Sequence, residues 1–178
     1  MFRITFLLII FIIFSCNNNS ESSSDFKSSS FQKMDSKKSI EMNKNWLKDE
    51  IFKIDQYCLR HGLEMKISKS GMRYNILYSN SDSLKPKIGS EITMSYDIRL
   101  MDSKQTRCYH SDSNGLAKFK LEQSLIESGI NEVVSYLSKG DSALVILPHH
   151  IAHGVTGDSK KIPPLSTVLY FIKILDVK

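Results

Sequence analysis

The period of the apolar residues changes after Gly62, and this change constrains the fold more than any other feature of the chain. Apolar and polar residues alternate over residues 72–78 and again over residues 92–100. Successive side chains of a strand point to opposite faces of a sheet, so this pattern is typical of half-buried β-strands. Two further runs, residues 143–148 and 167–177, are apolar enough to form well-buried strands.

Two other stretches carry apolar residues at the helical spacings of three and four. The first predicts a helix over residues 43–61, with its apolar stripe at Trp46, Leu47, Ile51, Ile54 and Cys58. The second lies among the strands and consists of Ile130, Val133, Val134 and Leu137. The stripe of the first helix needs a partner surface, which is either its own domain or a second copy of the chain in a homodimer.

The order of these elements predicts an α+β fold, in which an antiparallel sheet wraps around a central helix. We assign the domain itself to residues 63–178 and an N-terminal helix to residues 41–62. Only about 138 residues remain after residue 40, which is the size of one domain.

The start of the chain predicts export. Arg3 precedes an unbroken apolar run from Phe6 to Phe14. As a helix this run would span about 14 Å, against roughly 30 Å for the core of a bilayer, so it is too short for a transmembrane anchor. Residues 1–15 therefore form a predicted signal peptide.

Residues 13–16 resemble the lipobox of bacterial lipoproteins, in which a small residue precedes an acylated cysteine. This resemblance implies cleavage after Ser15 and lipid attachment at Cys16, which would hold the mature chain on a membrane of the cell envelope, facing the periplasm or at the outer membrane. The alternative is a secreted protein with an incidental cysteine. Residues 16–40 are rich in serine and poor in large apolar groups, so we expect a flexible spacer.

The charge of the chain argues against one class of partner. The formal net charge is +5, but the 24 basic residues are scattered among 19 acidic ones. There is no basic stripe interleaved with aromatic residues, so we predict no nucleic-acid partner. Cys58 and Cys108 lie in separate predicted elements and are expected to be free thiols, although an oxidising envelope would permit a disulfide.

A series of short motifs resembles the family of FKBP-type peptidyl-prolyl cis-trans isomerases. The series runs through Gly-Ile-Asn-Glu-Val-Val at 129–134, Lys-Gly-Asp at 139–141, Ile-Leu-Pro at 146–148, Ile-Ala-His-Gly at 151–154, Ile-Pro-Pro at 162–164, Ser-Thr-Val-Leu-Tyr at 166–170 and Leu-Asp-Val at 175–177. The resemblance covers residues 72–178 and implies an FKBP-like sheet wrapped around a short central helix. The leader and spacer are similar to lipoprotein members of this family from Bacteroidetes, related to the isomerase associated with gliding motility.

The resemblance implies an isomerase, without a cofactor, that binds Xaa-Pro segments of unfolded or nascent envelope proteins. The implied pocket consists of Tyr96, Tyr109, His110, Ile126, Ile130, His153, Ile162 and Tyr170. Tyr109 and Tyr170 stand where the family usually has phenylalanine, Ile130 replaces a tryptophan, and His110 replaces an aspartate. His153 replaces a tyrosine whose hydroxyl, in that family, donates to a bound carbonyl. The departures leave an alternative open, a catalytically weak FKBP-fold chaperone or binding module for extended protein segments.

The histidines also raise the question of a metal. His149 and His153 are four residues apart and would share one face of a helix, with His150, His110 and Asp158 as further candidates. The sequence contains neither His-Glu-Xaa-Xaa-His nor a close pair of cysteines. We therefore predict that no metal is bound.

Overall fold

The computed structural model of the chain describes residues 36–80 and 84–178. The predicted signal peptide, Cys16 and the spacer as far as residue 35 lie outside these residues. Residues 42–178 form one compact unit, while the described residues 36–41 belong to a separate N-terminal unit. Within the described ranges, no helix has both the length and the apolar character needed to cross a membrane.

The described chain contains three α-helices, one short 3-10 helix and seven strands. In chain order these are α1 (Ser36–Arg60), β1 (Lys66–Ile67), β2 (Arg73–Tyr78), β3 (Glu91–Leu100), β4 (Arg107–His110), α2 (Ser111–Asn114), β5 (Ala117–Lys120), α3 (Ser128–Tyr136), β6 (Ser142–Leu147), the 3-10 helix (His149–Ile151) and β7 (Val168–Val177). The predicted α+β class is confirmed. Helix α1 begins at Ser36 rather than at residue 43, because adding a turn to an existing helix needs no apolar stripe.

All seven strands belong to one antiparallel sheet. Their order is β1-β2-β6-β7-β3-β4, and β5 also pairs with β3. The long strand β3 pairs with β7 along one edge. Along its other edge it pairs first with β5 and then with β4. This arrangement brings the ends of three strands, β3, β4 and β7, to one region of the sheet.

The two longer helices lie against opposite faces of the sheet. On one face, Ile130 and Val133 of α3 pack among strand residues that include Val145 and Tyr170. On the other face, Ile54 of α1 packs with Tyr57, Ile146 and Leu169. Residues 145–146 and 169–170 thus alternate between two cores, which explains why β6 and β7 are apolar at nearly every position.

The Lys-Gly-Asp motif is the turn that connects α3 to β6. The side chain of Asp141 is almost fully buried, and its two oxygens accept the backbone N–H groups of Ser138 (2.8 Å) and Asn80 (2.6 Å). Gly140 adopts φ +92°, a conformation that other residues rarely reach. The turn therefore fixes the direction in which the chain leaves α3.

The two cysteines of the described chain are free thiols, Cys58 half-buried and Cys108 buried. Burial is the main cause that raises the pKa of both thiols above the ordinary value. Both are therefore protonated at neutral pH, which makes them poor nucleophiles.

Candidate functional site

An apolar cavity of about 290 Å³ opens at the N-terminal end of α3. It is bounded by β3, β4, β5 and β7, by the entrance of α3, and by the segment that follows the 3-10 helix. Its lining consists of Met94, Tyr96, Ile98, Tyr109, Ala117, Phe119, Ile126, Glu127, Ile130, His153 and Tyr170. Six of the eight residues predicted for a pocket are in this set.

The aromatic walls of the cavity follow from strand geometry. Met94, Tyr96 and Ile98 alternate along β3 and therefore point to the same side of the sheet. Ile98 lies directly opposite Tyr109 on β4 and Tyr170 on β7. Directly opposite residues have neighbouring side chains, so the three residues form one continuous wall.

A polar cluster stands inside this apolar cavity. The hydroxyl of Tyr170 donates to Oε1 of Glu127 at 2.9 Å. Nε2 of His153 lies 3.1 Å from the same carboxylate oxygen and 3.3 Å from the Tyr170 hydroxyl. Burial, together with the charge of Glu127, raises the pKa of Tyr170 well above its usual value. The Tyr170 hydroxyl is therefore a permanent hydrogen-bond donor in this cluster.

A second pair of polar groups holds the cavity wall in place. The Tyr109 hydroxyl donates to Oδ2 of Asp158, and this hydrogen bond is the main cause that raises the pKa of Tyr109 to about 12. Partial burial alone would raise the pKa of Asp158. The hydrogen bonds from Tyr109 and from the N–H groups of Ile162, Lys160 and Lys161 outweigh it and lower that pKa to about 2. Asp158 thus stays ionised and anchors the tyrosine ring.

The base of the cavity is formed by Ile130, of which 2% is exposed. The residue before it in α3 is Gly129, which lies against the side chain of Leu147 and the backbone of Ile151. A Cβ atom at residue 129 would stand 2.5 Å from Cδ2 of Leu147 and 3.0 Å from the carbonyl oxygen of Ile151. The helix can approach β6 and the 3-10 helix this closely only because residue 129 has no side chain.

Two residues predicted for the pocket do not line the cavity. His110 follows Tyr109 on β4 and therefore points to the opposite face, where its Nδ1 accepts the N–H of Asp112 at 3.1 Å and caps α2. Ile162 is buried in the adjacent core, and its N–H donates to Asp158. Both residues support neighbours of the cavity instead of facing it.

Glu127 was not predicted from the sequence, and Asp158 was predicted only as a candidate metal ligand. Glu127 precedes α3 as its N-cap residue, but its side chain forms no cap hydrogen bond and turns into the cavity. Its partner Tyr170 is 43 residues away, and Asp158 is 49 residues from Tyr109. No local pattern signals such pairs. Met94 and Ile98 could have been predicted from the sequence, because each lies two residues from Tyr96 in the alternating pattern of β3.

The described residues bring together one group with the composition of a metal site. Glu50, His149 and His150 each offer a ligand atom, and these atoms lie within 4.8 Å of one another. Both oxygens of Glu50 are occupied by protein: Oε1 accepts the N–H of His149 and the hydroxyl of Thr167, both at 2.7 Å, and Oε2 lies 2.6 Å from Nδ1 of His149. His149 and His153 share no helical face, because the helix at 149–151 is a single 3-10 turn.

A known protein family matches the region of the chain that contains the cavity. The sequence model of the FKBP-type peptidyl-prolyl cis-trans isomerases matches residues 82–175, just over half of the 178-residue chain. This range contains β3 to β6, nearly all of β7, the central helix and every residue that lines the cavity, whereas β1 and β2 lie before it. Helix α1 lies outside it.

Individual relatives agree with the family match. The FKBP-type peptidyl-prolyl cis-trans isomerase FkpA of Escherichia coli K12 is 26% identical over 114 residues, which are 64% of this chain and 40% of FkpA. The peptidyl-prolyl cis-trans isomerase Fkbp12 of Drosophila melanogaster is 31% identical over 96 residues, which are 54% of this chain and 88% of Fkbp12. The chain thus spans less than half the length of E. coli FkpA.

The fold of the chain is also that of solved structures. The crystal structure of FkpA from Escherichia coli superposes with a TM-score of 0.61 at 22% sequence identity, covering 89% of this chain and 75% of that one. The FKBP-like sheet, the central helix and the helix before them are therefore established for this protein. By the extent of the family match, the chain belongs to the FKBP-type peptidyl-prolyl cis-trans isomerases.

Proposed function

We propose that the chain catalyses the cis-trans isomerisation of Xaa-Pro bonds in envelope proteins. The observation that carries this proposal is the aromatic cavity at the end of α3, with Ile130 at its base and the Glu127, His153 and Tyr170 cluster in its wall. The cavity is closed on the side of the core and open to solvent on the other, as the binding of a peptide segment requires.

An apolar cavity favours the transition state of this reaction. The barrier to rotation about an Xaa-Pro bond is near 20 kcal/mol, because amide resonance is lost in the twisted state. The twisted amide is less dipolar than the planar one, so an apolar surrounding favours it. Neither a nucleophile nor a metal is needed, which agrees with the apolar lining of the cavity.

Two groups at the cavity can donate to the peptide. The first N–H groups of a helix have no intrahelical acceptor, and in α3 these belong to Ser128 and Gly129, between the lining residues Glu127 and Ile130. The N–H of Ile130 itself donates to the carbonyl of Glu127. The ring of His153 supplies the other donor, since an imidazole carries an N–H whether neutral or charged. These donors would hold the carbonyl oxygen of the twisted bond.

One observation favours a second candidate function, a chaperone or binding module with weak turnover. Nε2 of His153 is already within 3.1 Å of Glu127, so a peptide carbonyl must compete with a carboxylate for the imidazole N–H. Binding of an extended segment requires only the apolar groove. Turnover additionally requires a donor that is available to the twisted amide.

An NMR exchange assay of the full-length chain with a panel of Xaa-Pro peptides separates these functions. Acceleration by the native chain supports the isomerase. If the native chain gives none while His153→Tyr does, the protein is a binding module and His153 is the cause. His61→Tyr is the matched control, because His61 is an exposed histidine far from the cavity in sequence and stacks on Tyr57, which a tyrosine can also do.

We extend the proposal to the location of the protein, a lipoprotein of the Bacteroidetes kind that is anchored to an envelope membrane through acylated Cys16. The support is the leader at residues 1–15 and the small residue before Cys16. Cells fed a labelled fatty acid should label the wild-type chain and not Cys16→Ser. Equal labelling of the two chains, or equal partition of both into the soluble fraction, would refute the anchor.

The proposal includes a homodimer through α1. Phe52 and Leu59 are 64% and 74% exposed, and a spacing of seven residues places them on one face of the helix. Phe52→Glu should shift the full-length chain toward monomer in sedimentation velocity. Leu125→Glu, a substitution at a fully exposed leucine outside α1, should not. A wild-type chain that sediments as a monomer at all concentrations would contradict the dimer.

A further inference from the structure

The connection between β6 and β7 supplies two side chains to the proposed site. Residues 148–167 contain His153, which lines the cavity, and Asp158, which holds the Tyr109 ring. Most of this connection is irregular, and it contains one 3-10 turn. Its geometry therefore depends on individual hydrogen bonds more than that of the strands does.

A single carboxylate holds both ends of the connection. Only 8% of Glu50 is exposed, and its Oε1 accepts the N–H of His149 and the hydroxyl of Thr167. Its Oε2 lies 2.6 Å from Nδ1 of His149. A buried carboxylate is stable only when such donors surround it, and hydrogen bonds to a charged group are the stronger kind. Glu50 therefore fixes His149 at the start of the connection and Thr167 at its end.

The position of His149 is passed on to His153 through the backbone. The carbonyl oxygen of His149 accepts the N–H of Ala152 at 3.1 Å and that of Gly154 at 2.8 Å. These two amides flank His153 on either side. A rotation of the His149 peptide would move both, and with them the imidazole that lies beside Glu127 in the cavity.

We propose that Glu50 is a positioning residue of the isomerase site, and that it places His153 through His149. This inference rests on the proposed function. It assigns a role to α1, which lies outside residues 82–175 matched by the family. A group that acts through another residue affects turnover without touching the peptide, and a displacement near 1 Å of a catalytic group can lower a rate by a factor of up to about 100.

The test uses the full-length chain and kcat/KM for one Xaa-Pro peptide. Glu50→Ala should lower kcat/KM about tenfold, and Glu50→Gln should keep it within about threefold, because the amide oxygen still accepts from His149 and Thr167. Asp49→Ala, which removes the neighbouring exposed carboxylate, should leave kcat/KM unchanged. Thr167→Val removes one donor at nearly constant shape and should give a smaller loss than Glu50→Ala.

A double-mutant cycle distinguishes positioning from general stabilisation. In a His153→Ala background, Glu50→Ala should have no further effect on kcat/KM, because the residue through which Glu50 acts is absent. An equal tenfold loss in that background, or no loss from Glu50→Ala in the native chain, would overturn the proposal. If Glu50→Ala does not fold, the cycle is run with Thr167→Val, whose smaller loss should disappear in the His153→Ala background. A loss that persists there unchanged would overturn the proposal.

Hydrogen exchange separates a failure of this inference from a failure of the proposed function. In Glu50→Ala the amides of Ala152 and Gly154 should exchange faster than in the native chain, whether or not the protein isomerises peptides. A native chain without isomerase activity would refute the function and leave this readout standing. Unchanged exchange at both amides would refute the coupling itself.

Discussion

Gly129→Ala should destabilise the chain, although alanine is the better helix former. The new Cβ would stand 2.5 Å from Cδ2 of Leu147, whereas carbon atoms in contact are normally about 3.5–4.0 Å apart. Leu147 must therefore retreat by about 1 Å, but it is completely buried. The new Cβ would also lie 3.0 Å from the carbonyl oxygen of Ile151. Because this atom belongs to the backbone, the helix cannot avoid Leu147 by moving toward Ile151.

The magnitude follows from two opposing terms. Overpacking a tight core costs about 1–3 kcal/mol, and the upper part of this range, about 2–3 kcal/mol, applies here because Leu147 is fully buried and the Ile151 carbonyl is backbone. Replacing glycine by alanine inside a helix contributes about 1 kcal/mol in the other direction. We expect the free energy of unfolding to fall by about 1–2 kcal/mol, or the melting temperature by roughly 3–8 °C. Because Ile151 precedes the segment that carries His153, isomerase activity should fall as well.

Urea denaturation of the full-length chain measures this effect. Ser128→Ala is the matched control, since Ser128 is the exposed neighbour in the same helix and its substitution should change the unfolding free energy by less than about 0.5 kcal/mol. A Gly129→Ala chain as stable as the wild type would show that the contact with Leu147 relaxes freely. Gly129 would then not be required for the close approach of α3 to β6.

Two further predictions concern carboxylates. The pKa of Asp158 is lowered from 3.8 to about 2, so the stability that its contacts contribute is present above about pH 4 and is lost as the pH falls toward 2. Tyr109→Phe removes one of these contacts. In urea titrations this variant should therefore lose less stability than the wild type between about pH 4 and pH 2. Asp97 is 8% exposed and accepts hydrogen bonds from Arg99 and Arg107. Asp97→Asn should therefore lower the free energy of unfolding at pH 7 by about 1–3 kcal/mol. An unchanged midpoint of urea unfolding would contradict this prediction.

The parts of the fold that sequence could predict are those with a local cause. The alternation over residues 92–100 marks β3, and the spacing of Ile130 and Val133 marks α3. The short strands β4 and β5 were not predicted, because four residues are too few for a period to be recognised. They form by pairing with β3, which already presents a free edge.

The same distinction applies to the site. Tyr96, Tyr109 and Tyr170 were predicted because the family resemblance implies them. Tyr96 and Tyr170 also lie in the predicted strands of residues 92–100 and 167–177, whereas Tyr109 lies in no predicted strand. The position of His110 outside the cavity follows from the alternation along β4, which could be read only once that strand was known. Glu127 could not be predicted, because its role depends on its contact with Tyr170, which lies 43 residues away in the sequence.

Two departures from the family pattern, at Tyr170 and His153, are linked through Glu127. A buried tyrosine hydroxyl requires a partner, and Tyr170, where the family usually has phenylalanine, finds it in Glu127. A carboxylate in an apolar cavity needs donors in turn, and His153 supplies the second one where the family has tyrosine. Hydrogen-bonded groups of this kind are not additive, so each residue depends on the other two. Tyr170→Phe alone would therefore leave Glu127 without one of its two partners.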